Sequence, residues 1–95
     1  MNISITTIAN NGHLILYIID SSGLTILQLK DFDSGSVMLV PGHTYRFEWH
    51  VWSPSDAEYT IQATVNPDNP GFAPFDFFKQ YTGAHRDMGG FYFTV

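Results

Sequence analysis

The chain has 95 residues, the length of one domain, and no cysteine, so disulfides, zinc–thiolate sites, iron–sulfur clusters and cysteine nucleophiles are excluded. Four basic residues against nine acidic ones leave a net charge of −5, with Lys30, Arg46, Lys79 and Arg86 scattered singly. No basic stripe exists to displace counterions from a nucleic acid or to hold an anionic membrane surface, so neither partner is expected. The β-formers Val, Ile, Tyr, Phe, Trp and Thr number 36 against 23 good helix formers, which predicts an all-β chain.

Ile3 and Ile5 alternate with Asn2, Ser4 and Thr6, a half-buried first strand. Asn10-Asn11-Gly12 tolerates positive φ and predicts a hairpin into a second strand, His13 to Asp20. Its longest apolar run, Leu14 to Ile19, is far short of the ~20 residues a membrane helix needs. No secretory leader is expected at Met1-Asn2-Ile3, which lacks a basic start and a long apolar run. Ser21-Ser22-Gly23 turns the chain into a third strand from Leu24 to Lys30. A loop over residues 31–35 precedes a short fourth strand, Val37 to Val40.

Pro41-Gly42 is a turn, with Pro fixing one φ and Gly supplying a positive one. The fifth strand has the clearest alternation. Tyr45, Phe47, Trp49 and Val51 form its core face, and Arg46, Glu48, His50 and Trp52 its opposite face. The sixth strand turns Tyr59, Ile61, Ala63 and Val65 inward and Thr60, Gln62 and Thr64 outward. Residues 66–88 are too long for a structureless connection. Pro74 as a first helical residue, Gly83 just past an end, and Phe75, Phe78 and Tyr81 at spacings of three predict a short helix over 74–82. Phe91, Phe93 and Val95 mark a last strand over 91–95. No internal repeat is visible in the residues.

The stretch Leu39-Val40-Pro41-Gly42-His43-Thr44-Tyr45-Arg46-Phe47 resembles the tyrosine corner of fibronectin type III and immunoglobulin-like sandwiches. The resemblance covers residues 39–51. It implies that the Tyr45 hydroxyl reaches back to backbone near the Pro41-Gly42 turn. Together with the strand pattern it predicts an immunoglobulin-like β-sandwich of about seven strands over residues 1–95, with a short helix in the long connection before the last strand.

The strongest candidate site is the outer face of the fifth strand, Arg46, Glu48, His50 and Trp52. A solvent-facing Trp beside polar donors suits a sugar, whose C–H face stacks on an indole while neighbours take its hydroxyls. The same residues suit a protein partner, because Trp and Arg dominate interface energetics. Thr60, Gln62 and Thr64 would extend the face if the fifth and sixth strands pair. Alternatively, Trp52 is buried beneath Phe72 or Phe75. Glu48 and His50 share a face and offer an acid–base pair, but a sandwich this small rarely provides a water-excluding cleft, so a non-catalytic binding module without cofactor is expected. Gly83 to Gly90 resembles the cupredoxin end, where His and Met flank copper. The missing thiolate excludes a blue-copper centre and leaves a weak His85/Met88 site. Asp31 and Asp33 offer a calcium rhythm without the distal Glu of an EF-hand. Low charge and exposed rings predict a weak homodimer.

Overall fold

In the computed structural model the described residues are 1–53, 58–68, 76–81 and 85–95. Among them the chain forms eight antiparallel strands and no helix. The strands are β1 (Asn2–Asn10), β2 (His13–Ile19), β3 (Thr25–Lys30), β4 (Asp33–Met38), β5 (Thr44–Ser53), β6 (Tyr59–Pro67), β7 (Asp76–Tyr81) and β8 (His85–Thr94). They make two four-stranded sheets in the orders β4-β1-β6-β7 and β3-β2-β5-β8.

Alternation of residue type sets which face is buried. Ile3, Ile5, Thr7 and Ala9 of β1 turn inward while Ser4, Thr6 and Asn10 are exposed. Leu14, Leu16 and Ile18 meet them from β2, with Phe47 and Val51 from β5 and Tyr59, Ile61 and Ala63 from β6. Each large side chain so buried contributes about 1.5–3 kcal/mol. The four central strands therefore carry the core, and β3, β4, β7 and β8 are the edges.

The order has an internal regularity that the residues do not announce. Adding four to every strand number of the first sheet, and counting on from one after eight, gives the second sheet read backwards. The chain thus runs twice through the same path, β1–β4 and then β5–β8, with the sheets exchanged. β1 joins β6 in one sheet and β2 joins β5 in the other, so the two halves meet at the centre of both.

The corner at Tyr45 has the geometry its motif implies. Tyr45 is buried, and its hydroxyl accepts the Val40 N–H at 2.8 Å across a turn in which Gly42 has φ +83°. At the opposite end the Tyr81 hydroxyl donates to Asp87 at 2.8 Å, tying β7 of one sheet to β8 of the other. Burial and the Asp87 carboxylate hold that phenol far above the ordinary tyrosine range.

Five expectations are corrected. The Asn10-Asn11-Gly12 turn forms, with Asn11 at φ +62°, but β1 and β2 lie in different sheets, so it is a corner and not a hairpin. Asp33 to Gly35 belong to β4, because Asp31 at φ +58° reverses the chain within two residues. Residues 76–81 of the expected helix form β7. Hydrogen bonding to the β6 edge and the stacking of Tyr81 on Tyr59 at 5.0 Å outweigh a short local helix, whose nucleation is costly. The rest of that helix lies outside the described residues. The last strand begins at His85 and not at Phe91. Gly89 and Gly90 run straight through it because a Cβ on Gly89 would stand 2.6 Å from the Trp49 ring, and one on Gly90 2.6 Å from the Phe47 carbonyl oxygen. The strands number eight where about seven were expected.

Candidate functional site

Period two on β5 places Arg46, Glu48, His50 and Trp52 on the outer face of the second sheet, opposite buried Tyr45, Phe47 and Val51. Their neighbours come from β2 and β8. β6 lies in the other sheet, so Thr60, Gln62 and Thr64 do not extend this face. Trp52 has His13 on one side and Arg86 on the other; His50 has Ile15 and Met88; Glu48 has Tyr17 and Gly90; Arg46 has Ile19 and Tyr92.

Two ring assemblies stand at the ends of this face. At one end the His13 imidazole stacks on the Trp52 indole, centroids 5.3 Å apart and planes at 26°. Asp31 buttresses it: one carboxylate oxygen accepts the Leu14 N–H at 3.0 Å and the other lies 3.4 Å from His13 Nδ1. Ile15, His50, Trp52, Arg86 and Met88 line a cleft of about 580 Å³ beside these rings. At the other end the Arg46 guanidinium lies over the Tyr92 ring, 5.2 Å from its centroid. Ile19, Arg46 and Tyr92 line a second concavity of about 410 Å³ there.

Between the ends runs a polar ladder. Arg46 Nε donates to Glu48 Oε1 at 3.1 Å, and Glu48 Oε2 lies 3.2 Å from His50 Nε2. The guanidinium first, and the imidazole after it, hold the Glu48 carboxyl below its ordinary value of 4.5. Tyr17 sets its ring edge-on to His50 at 5.6 Å. All three side chains keep partial contact with water, so the ladder orders side chains more than it stabilises the fold.

The four residues expected at the site thus share one face, with His50 and Trp52 on the larger cleft, Arg46 on the smaller and Glu48 joining them. Phe72 and Phe75, the alternative cover for Trp52, lie outside the described residues. The sequence reading missed His13, Ile15 and Tyr17 because Ile15 and Ile19 blur the alternation of β2. It missed Arg86, Met88 and Tyr92 because Gly89-Gly90 reads as a turn.

Of the metal readings, the carboxylates of Asp31 and Asp33 both accept backbone N–H groups. Met88 is exposed on the outer face of β8, and the His85 side chain lies outside the described residues. Among the described residues no three His, Asp or Glu side chains converge as metal ligands. No protein-family model, curated protein or solved structure matches the chain.

Proposed function

We propose that the chain is a non-catalytic binding module that takes a carbohydrate or protein ligand on the outer face of the β3-β2-β5-β8 sheet, through Arg46, Glu48, His50 and Trp52. The observation that carries this reading is the cleft beside Trp52, whose indole is backed on one face by His13. A ring fixed in this way loses little conformational entropy when a ligand stacks on it. The experiment is a screen of glycans and candidate partners with the wild-type chain and Trp52→Ala. Loss of the ligand without loss of melting temperature supports the reading.

A second reading is an acid–base site at Glu48 and His50, favoured by their 3.2 Å contact at the edge of the cleft. Glu48, held ionised by Arg46, would there orient the imidazole and not act as the acid.

The likeness to fibronectin type III and immunoglobulin-like domains rests on the Tyr45 corner. The strand order departs from theirs, because β1 and β2 lie in opposite sheets where an immunoglobulin domain keeps its first two strands together. We take the likeness as one of sandwich architecture. Weak self-association belongs to the same proposal, through the β8 edge. Beyond Arg86 and Asp87, no charge or proline interrupts β8 from Met88 to Thr94.

A further inference from the structure

We infer that the ligand of this face is a neutral linear oligosaccharide lying across the strands' length from Trp52 to Tyr92, an assignment that rests on the binding-module reading above. The two ends of the face repeat one construction. Trp52 is backed by His13 and Tyr92 by Arg46, a planar nitrogen-bearing group against one face of each ring. Each ring borders its own concavity, and Tyr92 is 72 % exposed. Tyr92 is level with Arg46, and Arg46 is six residues from Trp52 along β5, so the backbone positions that carry the rings are about 20 Å apart along the strands, the length of roughly four pyranose rings.

The groups between the rings select the ligand. A pyranose has apolar C–H faces and a girdle of hydroxyls. The Arg46–Glu48–His50 ladder offers carboxylate, guanidinium and imidazole along the path, with the Tyr17 ring at its side. The Arg46 guanidinium and the Glu48 carboxylate neutralise one another at the middle of the path, which suits the hydroxyls of an uncharged polar chain. At Gly90 the absent side chain leaves room that the Arg46 guanidinium fills, which keeps the strip low between its ends. A peptide added as a strand draws its affinity from backbone groups at a sheet edge, whereas these two sites offer ring faces and side-chain polar groups. Trp52 stands on the central strand β5, which pairs on both sides, and Tyr92 on its edge neighbour β8, with both rings on the outer face of the sheet.

The test is titration calorimetry of the whole chain with neutral linear oligosaccharides of glucose, xylose, mannose and N-acetylglucosamine, from one to six units. One of these series should bind, with affinity rising at least tenfold from the dimer to the tetramer and levelling beyond it. Tyr92→Ala should lower tetramer affinity to that of the dimer and leave the dimer unchanged, while Trp52→Ala should abolish both. Circular dichroism of both variants should match the wild type. If no series binds at millimolar concentration, or affinity is independent of length, or Tyr92→Ala leaves the tetramer unaffected, the inference is overturned. A protein ligand lost on Trp52→Ala, with no oligosaccharide bound, would overturn it while leaving the binding-module reading standing.

Discussion

The imidazole of His13 covers one face of the Trp52 indole, so Trp52 is half-buried by a neighbour on its own sheet face. The contact joins β2 to β5 at the end where both strands meet the cross-sheet corners. It gives the indole a fixed orientation without placing it in the core.

Trp52→Ala should therefore cost little stability. The expected change is below about 1.5 kcal/mol, the size of one aromatic contact, and far from the ~3–5 kcal/mol of a buried ring. Thermal unfolding checks it. A loss of core size would remove Trp52 from the ligand face.

Tyr45→Phe should cost about 0.5–1.5 kcal/mol, because it removes the part-buried hydrogen bond that the Val40 N–H donates to the Tyr45 hydroxyl. The urea midpoint should fall with an unchanged slope. An unaltered midpoint would deprive the corner of its structural role.

Acid should weaken the fold through Glu48. Its folded-state pKa lies below 4.5, so its contribution is fully present above that value and is lost as pH falls through the depressed folded value. Urea unfolding at pH 7 and pH 3 should show a smaller acid loss in Glu48→Gln than in the wild type. The difference should be about 0.2–1 kcal/mol, since the ladder is partly solvated.

Gly89→Ala should destabilise by about 1–3 kcal/mol, because its methyl would press on the Trp49 ring. Differential scanning calorimetry measures the shift, and an unchanged melting temperature would contradict the tight approach of β8 to β5.

Self-association at the β8 edge should appear in sedimentation as mass above 10.7 kDa that grows with concentration. Met88→Lys, which puts a charge on that edge, should shift the equilibrium to monomer. A wild-type chain that remains monomeric at millimolar concentration would dismiss the β8 contact.

What was legible in the residues was periodicity. Tyr45, Phe47 and Val51 against Arg46, Glu48 and His50 announced both the core and the candidate face, and Tyr59, Ile61 and Ala63 the next core strand. Pairing was not legible, because alternation states which way a side chain points and not which strand lies beside it. Thr60, Gln62 and Thr64 would extend the face only if β5 paired with β6, and its neighbours are instead His13, Tyr17, Arg86 and Tyr92. Glycine misled for a related reason. At Gly23 and Gly42 it supplies positive φ, as a turn requires, but at Gly89 and Gly90 it makes room for neighbouring atoms. Those two uses look alike in one dimension.

The doubled path of the chain has a consequence for how it closes. Residues 39–43 are the only covalent link between β1–β4 and β5–β8, and each half supplies two strands to each sheet. Two chains that traded halves would satisfy every strand pairing of two separate molecules. The hydrogen bond from Val40 to Tyr45 spans that very hinge and folds it back on itself. The corner thus acts as a latch on chain reversal, favouring a half that docks on its own partner over one that reaches for a stranger's.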